Sequence, residues 1–207
     1  MLNTVAHSTA HIFIFMFIMT TWTGLLFFLC SILSPALCCD WFSRYSHQSN
    51  ISLTLIRLMG GPMTDEESPV SFPYKLYRRI RRAEVETQLV FIRESLKQIF
   101  ELYHYGNLSS VNWDTSKTHH FLQSIHRQKD DVSTCMLSTK TANCRLKNYY
   151  RRLAKKTLYR TGFSTASWEL IRKVTEQHLD QLDLLANSIR ALAAASRRRS
   201  GPRPQKD

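Results

Sequence analysis

The sequence of 207 residues is poor in glycine and has no recognisable catalytic motif. None of its six glycines belongs to the glycine-rich loops that hold phosphate groups. The metalloprotease pattern HExxH and the hydrolase pattern GxSxG are also absent. After Cys39, no stretch alternates between apolar and polar residues as half-buried β-strands do. The chain is therefore predicted to be helical and not an enzyme.

The histidines do not form a metal-binding set. His119, His120 and His126 are close in sequence, but they lack the spacing of His, Cys and carboxylate ligands that metal sites use. We therefore predict neither a metal nor any other cofactor.

The first 38 residues contain no Lys, Arg, Asp or Glu. Residues 12–33 are almost entirely apolar, and Ala36 and Cys38 are small enough for the −3 and −1 positions of a signal-peptidase site. We predict a signal peptide over residues 1–38, with cleavage before Cys39, and hence a secreted protein that is not membrane-embedded after cleavage. The alternative is a retained membrane anchor, because about 20 apolar residues suffice to span a bilayer.

The rest of the chain carries all the net charge, with 28 Lys and Arg against 16 Asp and Glu, or +12. Residues 75–82 are strongly basic, and residues 144–160 carry two rows of Lys and Arg at i, i+4 spacing. Such rows destabilise an isolated helix, so either packing offsets the repulsion or an acidic partner binds there. We expect residues 193–207 to form a basic disordered tail. Sulfated glycans are the expected ligands of the basic helix and tail, and no nucleic acid is expected.

Five segments after Cys39 have apolar residues spaced as on one face of an α-helix. They cover residues 46–59, 83–104, 114–137, 144–160 and 163–192. Gly60, Gly61 and Pro62 end the first segment, and no helical pattern follows until after Pro73. So long a connection suits a crossover between parallel helices. The predicted fold is all-α, a five-helix bundle with up-up-down-down topology over residues 39–192 and a long crossover loop after the first helix.

The helical spacing also predicts which faces point inward. In the first segment the predicted core stripe consists of Ile51, Leu55, Leu58 and Met59, with Leu53 and Ile56 beside it. In the three middle segments the predicted inward residues are Leu89, Ile92, Leu96, Ile99, Phe100 and Tyr103, then Phe121, Leu122, Ile125 and Val132, then Leu146, Tyr150 and Leu153. In the last segment the stripe consists of Trp168, Ile171, Val174, Leu182, Leu185, Ile189 and Leu192. At about 100° per residue, Leu170, Gln177 and Leu184 lie on the opposite side of the last helix. The two leucines are either isolated exposed side chains or part of a receptor contact.

Three cysteines, Cys39, Cys135 and Cys144, remain after the predicted cleavage. In an oxidising compartment Cys39 can pair with either of the other two, and the residues alone leave both pairings open. Asn50 and Asn107 each begin an Asn-x-Ser sequon without proline in the middle, so both are candidate glycosylation sites.

Several stretches resemble type I interferons. SWELIR at 167–172 is similar to the W-E-x-x-R start of the last helix of that family, and the segment beginning KNYYRRL at residue 147 resembles its fourth helix. Residues 81–103 resemble its second helix, and residues 109–135 its third, including the Trp-Asp start and the cysteine. The likeness covers nearly all of residues 39–192 and is greatest to fish type I interferons.

This resemblance implies a secreted antiviral cytokine that joins two class II cytokine receptor chains and activates Janus kinase signalling. One receptor chain would contact the first helix, the crossover loop and the last helix, and the other would contact the three helices between them. Arg172 matches the arginine of the family, and Lys173, Gln177 and Leu184 are placed outward by the helical arc. These four residues are the predicted receptor-binding residues.

The resemblance also selects one pairing of the cysteines. It implies a disulfide between Cys39 and Cys135, as in the two-cysteine group of fish interferons, and it leaves Cys144 without a counterpart. The alternative function is that of a cationic secreted host-defence protein, which binds polyanions or membranes without a specific receptor.

Overall fold

The fold, taken from a computed structural model, consists of α-helices joined by loops. The structure describes residues 41–136 and 144–200, except for the side chains of residues 42, 43 and 196–200. The described residues form no β-strand. Their helices are α1 (Trp41–Leu58), α2 (Tyr74–Ile80), α3 (Val85–His104), α4 (Thr115–Ser133), α5 (Cys144–Thr157) and α6 (Thr165–Ser200), with a 3-10 turn at Tyr159–Thr161 before α6.

The five longer helices correspond to the five predicted segments, and the differences lie at their ends. Helix α1 begins at Trp41, before the predicted start at residue 46. Helix α6 continues to Ser200, so it extends past the predicted domain boundary at residue 192. The basic run at 75–82 contributes the additional short helix α2. The predicted signal peptide and residues 201–207 of the predicted tail lie outside the described residues.

The predicted apolar faces of α3 to α6 form the core. Buried as predicted are Leu89, Ile92, Leu96, Ile99, Tyr103, Phe121, Ile125, Val132, Leu146, Tyr150, Leu153, Trp168, Ile171, Val174, Leu182, Leu185 and Ile189. Three predicted core residues differ: Phe100 and Leu122 are only partly buried, and Leu192 is exposed. Each of these helices is polar elsewhere, and no helix in residues 41–136 or 144–200 combines the length and apolarity needed to cross a bilayer.

The predicted core face of α1 is correct for Met59, Leu53 and Ile56 and wrong for Ile51 and Leu58. Leu58 is 58% exposed and Ile51 is also exposed, whereas the buried apolar residues are Trp41, Tyr45, Leu53, Ile56 and Met59. The buried stripe also contains Ser52, whose Oγ lies 2.9 Å from the Oγ of Ser124 and accepts a 2.6 Å hydrogen bond from Nε2 of Gln128. Because α1 packs on α4 partly through polar pairs, apolar spacing alone does not locate this face.

A cap and a backbone hydrogen bond fix the start of α4 and the end of α1. At the start of α4, Oδ1 of Asp114 accepts a 2.9 Å hydrogen bond from the N–H of Lys117, as expected of an N-cap. The N–H of Asp114 itself donates to the carbonyl of Met59 at 2.7 Å, which joins the end of α1 to the start of α4.

Residues 59–73 form neither helix nor strand, which confirms the predicted crossover loop.

Candidate functional site

The outward face of α6 and the crossover loop form a groove. Its volume is about 310 Å³, and it is lined by Glu67, Ser68, Val70, Ser71, Phe72, Tyr74, Leu170, Lys173, Val174 and Gln177. Nζ of Lys173 donates a 2.9 Å hydrogen bond to the carbonyl of Glu66, so a polar contact also holds the loop on the helix. The groove therefore joins two segments that are about 100 residues apart in the sequence.

Arg172 fixes the beginning of the loop from inside the protein. Its side chain is fully buried, with 0% exposure. Nη1 donates to the carbonyls of Ile56 at 3.3 Å and Arg57 at 3.2 Å, in the last turn of α1. Nη2 donates to the carbonyls of Gly61 at 2.6 Å and Pro62 at 3.2 Å, in the loop. One guanidinium thus satisfies carbonyl groups at the end of a helix and in the loop that follows it.

Glu169 neutralises this buried cation. Its Oε2 accepts a 2.8 Å hydrogen bond from Nε of Arg172, and its Oε1 accepts one of 2.6 Å from Nε1 of Trp113. A buried charge is tolerated when it is paired and fully hydrogen-bonded, so this arrangement allows Arg172 to remain inside. The space is tight, since a Cβ atom on Gly60 would lie 2.8 Å from the Trp113 ring and 3.0 Å from the guanidinium.

An ion pair on the surface joins α1 to the same helix. Arg57 contacts the carboxylate of Glu176 and lies 3.7 Å from that of Asp180. Arg57 is about half exposed, so solvent screens this pair and its contribution to stability is small. It places charged groups of α1 beside the outward arc of α6.

His178 is the second fully buried polar residue of α6 that holds the crossover. Its Nδ1 lies 2.6 Å from the hydroxyl of Tyr77, and its ring centroid lies 4.6 Å from Phe72, 5.3 Å from Tyr149 and 4.9 Å from Tyr150. Burial without a counterion lowers the pKa of His178 from 6.5 to about 3, so the ring is neutral at physiological pH. The aromatic cluster attaches the end of the loop, α2 and α5 to α6.

Comparisons with known proteins identify the family. The profile described as Interferon, Interferon alpha/beta domain, matches residues 44–189. Interferon a3 of Oncorhynchus mykiss is 38% identical over 172 residues, which are 83% of this chain and 98% of that protein. The chain belongs to the interferon alpha/beta family.

Two further relatives agree with this assignment. The solved structure of zebrafish interferon 1 matches the interferon with a TM-score of 0.66 and 33% identity, over 72% of this chain and 99% of the other. Interferon omega-1 of Equus caballus is 31% identical over 93 residues, which are 39% of this chain and 46% of that protein. The resemblance to fish type I interferons and the predicted helical cytokine fold are confirmed. As a member of this family, the interferon is a cytokine and not an enzyme.

The four predicted receptor-binding residues of the interferon differ in their exposure to solvent. Leu184 is 50% exposed, while Lys173 and Gln177 are partly buried and line the groove. Arg172 requires a correction, because a side chain without exposed surface cannot contact a receptor unless it leaves its partners. In the structure its guanidinium donates hydrogen bonds to the carbonyls of Gly61 and Pro62 in the crossover loop. Sequence reasoning missed the groove itself and the contribution of Arg57.

The remaining predicted sites of the interferon differ in how far the structure describes them. Asn50 and Asn107 are exposed, and their glycosylation stays a prediction. Cys135 is buried and Cys144 is exposed, but Cys39 lies outside the described residues, so the pairing also stays a prediction. Within residues 41–136 and 144–200, no group of three or more His, Cys, Asp or Glu side chains is arranged to hold a metal ion.

Proposed function

We propose that this interferon is a secreted cytokine that binds two class II cytokine receptor chains, triggers Janus kinase signalling and induces an antiviral state. Membership of the interferon family supports the proposal. The observation that carries it is the outward face of α6, where Leu184 is exposed on the same arc as Lys173 and Gln177, beside a loop that is anchored to the helix.

This face has the composition of a receptor contact. Binding energy in protein interfaces is concentrated in a few apolar or aromatic anchors that polar side chains surround. Leu184 is an exposed apolar anchor, and Lys173 and Gln177 are polar neighbours along the helix. Arg172 contributes indirectly, because it holds the loop that forms the opposite wall of the groove.

The test is the substitution Leu184→Asp in the secreted protein. The measurement is a dose–response on fish cells that carry an interferon-responsive reporter, with and without a soluble receptor ectodomain as competitor. We expect the half-maximal concentration to rise at least about tenfold, since burying an unpaired carboxylate at an interface costs more than 1.4 kcal/mol. Circular dichroism should show unchanged helicity, because Leu184 is not part of the core.

Leu192→Asp is the matched control, since Leu192 is also an exposed leucine of α6. It should leave the half-maximal concentration within about twofold of the wild type. Full activity of Leu184→Asp would exclude this face as the receptor contact. No response to well-folded wild-type protein would instead favour the cationic host-defence alternative.

We also propose a mature chain that begins at Cys39, a disulfide between Cys39 and Cys135, and glycans on Asn50 and Asn107. The burial of Cys135 and the exposure of Cys144 and of both asparagines support these assignments. Non-reducing peptide mapping of the secreted protein should recover a Cys39–Cys135 peptide and an N-terminus at Cys39. A bridge to Cys144 or a retained Met1 would contradict them.

A further inference from the structure

A basic cleft lies between α2 and α5, outside the groove of α6. Its volume is about 390 Å³. It is lined by two basic residues of α2, Lys75 and Arg79, and two of α5, Arg145 and Arg152. The other lining residues are Ser71, Pro73, Leu76, Asn148 and Tyr149, so no Asp or Glu is found among them. The fold therefore brings two basic runs that are distant in sequence to the same surface.

Further cations extend this surface. A second hollow, lined by Lys75, Arg78, Arg79, Arg82 and Ala83, continues along α2. All of these basic side chains are exposed. Among the described residues, Lys75, Arg79 and Arg152 take part in no ion pair. Because like charges repel one another, the convergence of Lys75, Arg79 and Arg152 makes the surface favour an anionic ligand.

The geometry favours a linear sulfated polymer over other anions. Single-stranded nucleic acids need exposed aromatic rings on which bases stack, and the aromatic ring in the cleft, Tyr149, is only 2% exposed. An acidic protein partner would need an apolar anchor, but none of the exposed large apolar side chains of the described chain lines the cleft. Cations one or two turns apart on α2 and α5, about 5.4 Å per turn, suit anionic groups that repeat along a chain.

We propose that the cleft between α2 and α5 is a binding site for sulfated glycosaminoglycans. This site meets the groove of α6 at Ser71, but none of its four basic residues lines that groove, so it would retain the cytokine at the cell surface without occupying the face that carries Leu184. The interaction is charge-driven, and its affinity should fall steeply as the salt concentration rises.

The experiment measures binding of the full chain to a size-defined heparin oligosaccharide over a series of NaCl concentrations. The double variant Arg79→Gln/Arg152→Gln should raise the Kd roughly 10- to 30-fold at about 0.15 M salt. It should also reduce the slope of log Kd against log salt concentration by about 1 to 2. Arg79→Lys/Arg152→Lys should stay within about threefold of the wild type, because charge more than fork geometry determines the binding.

The matched control is Arg44→Gln/Arg127→Gln, which removes the same charge from exposed positions on α1 and α4. It should change the Kd less than about threefold. Equal losses in both Gln double variants would overturn the proposal in favour of general charge attraction. Equal binding of a desulfated oligosaccharide, or unchanged affinity of the cleft variant, would overturn it as well.

The reporter assay separates this proposal from receptor binding. The cleft variant should keep its half-maximal concentration within about twofold of the wild type in cells from which glycosaminoglycans have been removed. Loss of that activity with unchanged heparin affinity would assign the cleft to a receptor chain instead. An inactive wild-type protein that still binds heparin through the cleft would contradict the proposed function and leave this proposal supported.

Discussion

Arg172 and His178 are both fully buried on α6, yet the protein accommodates them in opposite ways. Arg172 has a counterion and a full set of acceptors, because Glu169 pairs with it and four carbonyl groups accept hydrogen bonds from its other N–H groups. His178 has a phenol and aromatic rings as neighbours, and its depressed pKa keeps it neutral. Arg172 attaches the beginning of the crossover to α6, and His178 attaches its end.

The comparison shows what burial requires of an ionisable group. A guanidinium cannot lose its proton in a protein, so the fold must supply a counterion and enough acceptors. An imidazole can lose its proton, so burial needs only a partner for the neutral ring. The two ends of the crossover should therefore respond differently to mutation and to acid.

The largest expected effect is that of Arg172→Met. Removing the guanidinium leaves Glu169 without its counterion and the carbonyls of Gly61 and Pro62 without their donor, so the free energy of unfolding should fall by about 3–5 kcal/mol. Denaturant unfolding measures this loss. Arg57→Met is the control at the exposed pair with Glu176, and it should cost less than about 1 kcal/mol. Similar losses of unfolding free energy in the two variants would contradict the expectation that the buried arginine contributes more to stability than the exposed one.

The next effect is a loss of stability in acid that comes from His178. Its folded-state pKa of about 3 lies below the unfolded value of 6.5, so the unfolded chain binds more protons between these values. Its contribution is intact above pH 6.5 and is lost as the pH falls, by about 1.4 kcal/mol per pH unit and about 2 kcal/mol at pH 5. Tyr77, Tyr149 and Tyr150 do not offset this, because burial raises the pKa of each phenol and keeps it neutral.

Unfolding titrations from pH 7 to pH 4 provide the measurement. The variant His178→Phe should be less stable at pH 7, because the hydrogen bond between the ring and the Tyr77 hydroxyl is lost, but its stability should depend less on pH. His119→Phe, at an exposed position, should keep the pH dependence of the wild type. If the free energy of unfolding of His178→Phe falls in acid as steeply as that of the wild type, another group causes the acid sensitivity.

The smallest effect is expected from Trp113→Phe, which removes the hydrogen bond to Glu169 but keeps an aromatic ring beside Tyr103 and Trp168. Because Glu169 is partly exposed and still pairs with Arg172, water can replace the indole donor, and the loss should be about 1 kcal/mol. Thermal unfolding would measure it, with Tyr105→Phe as an aromatic control on the exposed surface. A loss as large as that of Arg172→Met would mean that the indole, more than the ion pair, holds the network together.

The parts of the fold that the sequence predicts are those with a local apolar pattern. The core faces of α3 to α6 follow from residue spacing, and so does the outward position of Leu184. The core face of α1 follows only in part, because Ser52 takes a buried position through partners on α4, while Ile51 and Leu58 are exposed. The burial of Arg172 could not be predicted for the same reason. An arginine is usually exposed, and the carbonyl partners of Arg172 come from residues far away in sequence. The groove could not be predicted either, because it depends on the path of the crossover loop, and no local sequence pattern indicates that path.

The burial of Ser52 has a consequence for the order of events during biosynthesis. Ser52 completes the sequon that begins at Asn50, and its hydroxyl is held between α1 and α4 in the folded protein. An enzyme that reads this sequon must therefore reach it before the two helices meet. The sequon at Asn107 ends in the exposed Ser109 and stays readable afterwards. Faster folding would thus lower the fraction of molecules that carry a glycan on Asn50, relative to the fraction that carry one on Asn107.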